Sequence, residues 1–177
     1  MIRYETERLI LRNYAEIDVD DYFAYMRLDV VALHEDFAPY SFAQCKEAVD
    51  ARLNDDTFLV AQLKTDGRVI GDVCYRPGAY GTYEIAYDFN PAYGKRGYAT
   101  EACTKLIEHL FGFLEARRLY VGCNEGNEAS WRLLERLGFR REAHCIEDVW
   151  FKRDAAGNPI YVNSYFYAML HQEWIAR

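Results

Sequence analysis

The chain has 177 residues, of which 51% are hydrophobic and 16% aromatic, and its formal net charge is −7. This size and composition predict one folded domain over residues 1–177 with a sizeable core. No run of about 18 apolar residues occurs, which argues against a membrane span, and the acidic balance argues against nonspecific nucleic-acid binding.

Cysteine usage indicates a reducing compartment. The chain has an odd number of cysteines with no Cys-x-x-Cys spacing, so we expect reduced thiols and no metal site. The first residues lack the apolar segment of a signal peptide, so we expect a cytoplasmic protein. The cysteines are Cys45, Cys74, Cys103, Cys123 and Cys145.

Hydrophobic periodicity predicts an α/β fold on a mixed sheet. The first half of the chain is predicted to contain a strand over 8–12, helices over 18–28 and 42–53, and strands over 57–63, 68–75 and 83–89. A long helix follows and ends near Arg117 and Arg118. The remaining predicted elements are a strand over 119–123, a helix over 127–137, and a strand pair over 139–151 and 160–170.

A short basic turn joins the strand over 83–89 to the long helix, and it contains Gly94, Lys95, Arg96 and Gly97. Backbone N–H groups at a helix start have no helical partner, and the helix dipole adds positive charge there. Glycine lets an anion approach the backbone closely. The turn is therefore a candidate phosphate-binding loop, and the alternative is an ordinary loop followed by a helix start.

Three segments in this order resemble the GNAT superfamily of acetyl-CoA-dependent N-acetyltransferases: residues 85–91, 94–102 and 127–139. The opening over 6–12 and the late segment 165–174 resemble its RimJ/RimL branch. The resemblance covers nearly the whole chain. It implies a GNAT-like fold with a mixed, mostly antiparallel sheet flanked by helices. It also implies acetyl-CoA as co-substrate, no metal, and acetyl transfer to an amine by direct attack in a ternary complex.

The chain departs from the family pattern at one position of the phosphate loop. The family usually has Gln or Arg where this chain has Gly94. The backbone cradle needs no side chain there, so we expect pyrophosphate binding to survive. The resemblance implies cofactor contacts from Phe89, Lys95, Arg96, Gly97, Tyr98, Ala99, Thr100, Asn127 and Ser130.

The chemistry of amide formation suggests three catalytic positions. A backbone N–H at Tyr87 or a neighbour would polarise the thioester carbonyl. Glu84 is the candidate base for the acceptor ammonium, and the alternative is a strand-edge glutamate that faces solvent. We consider Asp88 less suited, because its place beside the turn favours backbone capping.

The leaving thiolate needs only modest stabilisation. Many family members use a tyrosine seven residues after the helix-capping asparagine, and that position is Leu134 here. Ser130, three residues after Asn127, would instead hydrogen-bond the sulfur, and the alternative is a second capping hydroxyl. Asn127 is a helix cap, a partner of the pantetheine arm, or both.

Charge is unevenly distributed along the sequence. Residues 1–90 hold 9 Lys and Arg against 17 Asp and Glu, whereas residues 91–177 hold 12 against 11. We therefore predict a cationic amine acceptor, bound by Glu35, Asp36 and Glu84, although solvated faces would explain the split as well. The acceptor could be a small molecule or a peptide.

Two questions about activity and assembly stay open at this stage. A noncatalytic acyl-CoA-binding or sensor module is the alternative to an enzyme, motivated by Leu134 and Gly94. Exposed strand edges make a homodimer plausible.

Overall fold

The computed structural model describes residues 3–177, which form one eight-stranded sheet with six helices on its two faces. The strand order is β1-β2-β3-β4-β5-β6-β8-β7. The strands are β1 (Arg3–Glu5), β2 (Leu9–Arg12), β3 (Phe58–Leu63), β4 (Val69–Pro77), β5 (Thr82–Phe89), β6 (Arg118–Asn124), β7 (Arg140–Arg153) and β8 (Pro159–Leu170). The helices are α1 (Val19–Met26), α2 (Asp29–Ala32), α3 (Phe42–Arg52), α4 (Tyr98–Gly112), α5 (Glu128–Leu137) and α6 (His171–Ile175).

The sheet is mixed and mostly antiparallel, as predicted. The only parallel pair among the described residues is β5 with β6, and its register covers just Thr82–Glu84 against Arg118–Tyr120. Beyond Glu84, β5 continues to Phe89 without a registered partner on that side, while β6 pairs with β8. The carboxyl ends of β5 and β6 therefore separate, and this opening positions the candidate site.

Two apolar clusters hold the helices against the sheet. Leu106 and Ile107 of α4 pack with Leu134 of α5 on one face, and Tyr25 of α1 packs with Val49 of α3 on the other. Side chains alternate between the faces of a strand, so β3 contributes to both clusters. In β5, Ile85 belongs to the α4–α5 cluster. The even-numbered residues of β5 consequently face the side of α1 to α3.

The prediction for the end of the long helix is wrong. Helix α4 ends at Gly112, because the N–H groups of Phe113 and Leu114 both return to the carbonyl of His109. The chain then reverses at Glu115, which has φ of 51°. Arg118 belongs to β6 rather than to a helix end. The short elements β1, α2 and α6 were not predicted, because three to five residues carry too little periodicity to detect.

Within the described part of the chain, no helix is both long and apolar enough to cross a bilayer. The sheet has β1 and β7 as its edges. Self-association and the cytoplasmic location stay predictions.

Candidate active site

A groove of about 1290 Å³ follows the opening between β5 and β6. Its floor is the second half of β5, and its walls come from the starts of α4 and α5, the segment after α2, and the β7–β8 hairpin. The predicted site residues come from distant parts of the sequence, and nearly all of them line this one space. Arg96 is the exception, since it belongs to the turn but does not line the groove.

The start of α4 presents free backbone donors to the groove. Gly97 has φ of 82°, and Lys95 has φ of 60°. The first helical bond runs from Glu101 N to Gly97 O at 3.0 Å, and no described side chain caps this helix. The N–H groups of Tyr98, Ala99 and Thr100, which come before Glu101 in the helix, therefore have no helical partner. All three residues line the groove.

Cationic side chains surround this helix start. Lys95 belongs to the turn, and Arg132 and Arg136 reach the same groove from α5. Arg136 Nη1 also donates to Thr100 Oγ1 at 3.3 Å. Because the helix dipole and these charges have the same sign, this end of the groove suits an anion.

Arg8, the residue immediately before β2, braces the turn. Its Nη1 donates to the carbonyl of Arg96 at 2.9 Å, and its Nε donates to Glu101 Oε2 at 2.7 Å. Glu101 also accepts from the Thr6 hydroxyl and from the Arg8 backbone. Sequence reasoning missed this brace because the partners are 88 and 93 residues apart.

The backbone of β5 also directs donors into the opening. Asn90 N donates to Ile70 O at 2.8 Å, so residues 90 and 70 form a hydrogen-bonded pair across β5 and β4. Such pairs alternate along an antiparallel ladder, and the even-numbered residues of β5 therefore pair with β4. The N–H groups of Tyr87 and Phe89 point the other way, beyond the last registered pair with β6. The predicted carbonyl donor at Tyr87 thus lies in the groove.

Ser130 and Tyr87 meet across this opening. The Tyr87 and Ser130 hydroxyl oxygens are 2.9 Å apart, and burial raises the pKa of the Tyr87 phenol. Asn127 caps α5 through its Oδ1, which accepts from Ser130 N at 3.2 Å. The capping role therefore belongs to Asn127, and the Ser130 hydroxyl is directed toward the groove. Leu134, at the position of the missing tyrosine, is fully buried in the α4–α5 cluster.

Glu84 is placed at the groove, but its carboxylate already has partners. Its side chain is 38% exposed and its Oε2 lies 3.8 Å from Arg76 Nη1. Burial, followed by the charge of Glu84 and a hydrogen bond with it, raises the pKa of Tyr120. The residue is therefore neither buried nor simply directed into solvent.

The interpretation of Asp88 as a capping residue is wrong. The turn after β5 is capped by Asn90, whose Oδ1 accepts from Ala92 N at 3.0 Å. Asp88 instead lines the groove directly opposite Asp72 of β4. Burial, followed by the negative charges of Asp72 and Glu35, raises the pKa of Asp88 to about 8.

Glu35 and Asp36 reach the groove from the segment after α2. Burial and the charge of Asp36 raise the pKa of Glu35 to about 7. The segment is held from the far side of the groove, because Lys152 Nζ of β7 donates to Leu33 O at 2.8 Å. The three acidic residues predicted to bind the acceptor thus share one space.

Comparisons with known proteins agree with this architecture. Residues 8–140 match the family described as the acetyltransferase (GNAT) domain. The chain is 28% identical over 172 residues to the uncharacterized N-acetyltransferase YnaD of Bacillus subtilis, which covers 96% of this chain and 97% of that protein. It therefore belongs to the GNAT acetyltransferase family and is an N-acetyltransferase.

Solved structures show the same fold. A GNAT-family acetyltransferase from Bacillus anthracis superposes with a TM-score of 0.88 at 24% identity, over 97% of this chain and 100% of that one. The ribosomal-protein-S5-alanine acetyltransferase from Vibrio fischeri superposes with a TM-score of 0.79 at 16% identity, over 98% and 99%.

Proposed function

We propose that this chain transfers the acetyl group of acetyl-CoA to a cationic primary amine by direct attack in a ternary complex. One observation carries the proposal: the uncapped start of α4 and the outward-facing N–H of Tyr87 open into the same groove as a group of carboxylates. This shared groove supports an interpretation in which it combines an anion site, a carbonyl donor and an ammonium site.

The anionic part of acetyl-CoA would bind at the start of α4. The N–H groups of Tyr98, Ala99 and Thr100 and the charge of Lys95 suit a pyrophosphate, and Gly97 leaves the backbone accessible. Arg96 would contribute backbone and charge. The pantetheine arm would then run along β5 past Phe89 and Asn127 toward Ser130.

The thioester carbonyl would accept a hydrogen bond from the Tyr87 N–H. A preorganised donor of this kind contributes about 3 kcal/mol of transition-state stabilisation where it has been removed in other enzymes. The ammonium first loses one proton to a carboxylate of the groove. The neutral amine nitrogen then attacks the carbonyl carbon, the C–S bond breaks, and the second proton of the nitrogen passes to the sulfur. Ser130, whose hydroxyl contacts Tyr87, would stabilise that sulfur as it becomes a thiolate.

The acceptor would enter between Glu35, Asp36 and Glu84. Carboxylates on one wall attract an ammonium and orient it toward the carbonyl. The acceptor is either a small molecule or a peptide. Placement in the RimJ/RimL-like branch is part of this proposal and is supported by fold neighbours named as ribosomal-protein acetyltransferases.

Release of CoA tests the proposal. The purified chain is incubated with acetyl-CoA and a panel of polyamines, aminoglycosides, amino metabolites and peptides with free N-termini, and thiol release is followed. Calorimetry measures acetyl-CoA binding separately. Turnover with a cationic amine would support the enzyme, whereas acetyl-CoA binding without turnover on any amine would favour the noncatalytic module. No binding at all would refute both.

A further inference from the structure

Two carboxyl groups lie directly opposite each other beside the carbonyl donor of the groove. Asp72 on β4 and Asp88 on β5 are registered partners. They form a hydrogen-bonded pair, because the ladder alternates from the bond between Asn90 and Ile70. Directly opposite Cβ atoms on one face are about 4.5–5.5 Å apart, so both side chains enter the same space on the side of α1 to α3.

The surroundings of the two carboxyl groups differ sharply. Asp72 is 4% exposed, and its Oδ2 accepts from the Tyr14 hydroxyl at 2.5 Å and from the Tyr25 hydroxyl at 2.9 Å. Arg52 Nη1 lies 3.9 Å from the same oxygen. Burial raises the pKa of Asp72, whereas the charge of Arg52 and the hydrogen bonds from the two tyrosines oppose that rise and favour its carboxylate form. Asp88 has no such donor within residues 3–177, so Asp88 is the better of the two positions for a shared proton.

The charges around Asp88 come from three elements. Asp72 on β4 and Glu35 after α2 are acidic and favour the protonated form of Asp88. Arg52 of α3 has the opposite effect, because its positive charge lowers the pKa of Asp88. Cys74, the next residue of β4 on this face, is itself held neutral because burial and the nearby carboxylates raise the pKa of its thiol. Asp88 therefore has a high proton affinity and faces the groove.

We propose that Asp88 takes the proton from the attacking amine and that the buried carboxylate of Asp72 sets the proton affinity of Asp88 as a positioning residue. This inference rests on the function proposed above. It replaces Glu84 in the role of base and leaves Glu84 as a contact for the acceptor. Asp88 directly follows Tyr87 in β5, so the residue that would take the proton is adjacent in the strand to the one whose N–H would hold the reacting carbonyl.

The proton balance follows from this arrangement. One proton moves from the ammonium to Asp88, which leaves a neutral amine as the nucleophile. The nitrogen then forms the amide bond, the C–S bond breaks, the second proton leaves with the CoA thiol, and Asp88 returns its proton to solvent. A lysine-like ammonium has a pKa of about 10.4, so a base of raised pKa reduces the unfavourable gap that an ordinary carboxylate of about 3.9 would face.

The test is the pH dependence of kcat/KM for one fixed acceptor, because this ratio reports the ionisations of the free enzyme and the amine contributes equally to every profile. In the wild-type protein, kcat/KM should rise with pH through a limb near 8. Asp88→Asn should lower kcat/KM about 10²–10⁴-fold and remove that limb. Asp72→Asn should move the limb at least one pH unit lower, and Arg52→Gln should move it higher. Glu84→Gln should raise the acceptor KM but keep the limb.

A direct titration of Asp88 in the wild-type protein keeps the proposal testable even if the variants fold poorly. The carboxyl ¹³C resonance of Asp88 is followed by NMR in the wild-type protein with ¹³C-labelled aspartate, assigned by its loss in Asp88→Asn. A titration near 8 would support the pair. An ordinary midpoint near ~3.9, or a limb that Asp88→Asn leaves in place, would overturn the inference. If the wild-type protein releases no CoA with any amine, the proposed function has failed. If it does release CoA, but the limb is lost in Glu84→Gln and kept in Asp88→Asn, only the assignment of Asp88 as the base is refuted.

Discussion

Replacing Glu35 by glutamine measures the electrostatic character of the groove without any acceptor. Burial and Asp36 raise the pKa of Glu35 from its ordinary 4.5 to about 7. Between these two values the folded chain binds a proton that the unfolded chain has lost, so the contribution of Glu35 to stability falls as pH rises through this window. Gln resembles the protonated side chain and does not ionise.

The size of the effect follows from the shift. One unit of pKa corresponds to about 1.36 kcal/mol, so the variant should gain about 2–4 kcal/mol over wild type above pH 7. The gain should vanish near pH 4, where both states are protonated. Subtracting the two stability curves cancels the titrating groups that do not interact with Glu35, whereas Asp88 adds to the difference in the same direction, because the charge of Glu35 raises its pKa.

Urea denaturation at half-unit intervals from pH 4 to pH 9 gives the difference in free energy of unfolding. Glu47→Gln, the same substitution at an exposed position of α3, is the matched control. A flat difference for Glu35→Gln would show that Glu35 ionises normally in the folded protein and that the groove does not resist a negative charge there. A variant less stable at pH 8 would contradict the reasoning outright.

Three further outcomes are expected. Gly97→Glu should abolish acetyl-CoA binding in calorimetry, because it places a carboxylate at the helix start and a side chain at a backbone φ of 82°. The control Gly112→Ala should bind acetyl-CoA normally, because no atom lies within 4 Å of the added carbon. The double variant Glu35→Gln, Asp36→Asn should raise the acceptor KM while the acetyl-CoA KM stays nearly constant. The difference in acceptor KM between the variant and the wild-type protein should shrink as salt is added. An unchanged acceptor KM would show that Glu35 and Asp36 belong to a solvated surface and do not bind the acceptor. Arg8→Gln should raise the acetyl-CoA KM about tenfold with little change in kcat, since the lost brace is worth about 1.5–3 kcal/mol at most; an equal loss in kcat would place Arg8 in the chemistry instead.

Features that depend on local chemistry could be read from the sequence. Asn127 caps α5 and Gly138 ends it with φ of 78°, as predicted, because both effects involve only residues within one turn. The phosphate loop is similar, since a glycine that permits positive φ and an uncapped helix start are visible in the sequence itself. The predicted strands and helices around the site agree with the structure to within a few residues, apart from the end of α4.

Contacts across the sheet could not be predicted in the same way. The pairing of Asp72 with Asp88 depends on the register of β4 and β5, and a shift of one residue would separate the two side chains. The turn chemistry next to Asp88 suggested a capping role, which Asn90 performs instead. One signal was available: Asp72 interrupts the apolar run from Val69 to Val73, and a carboxylate in a buried strand needs donors.

The uneven charge of the sequence acquires a more specific meaning in three dimensions. Several acids elsewhere have partners that lower their pKa. For Glu101 these are the Thr6 hydroxyl and then Arg8, and for Glu142 they are Arg118 and Arg140. Glu35 and Asp88 differ, because no described cation lies within ion-pair distance of either, and the pKa of each is raised. Each would become easier to ionise if an ammonium entered between them. The missing partner of these two acids is therefore best supplied by the acceptor, which would bind most tightly as a cation and release protons from the groove as it binds.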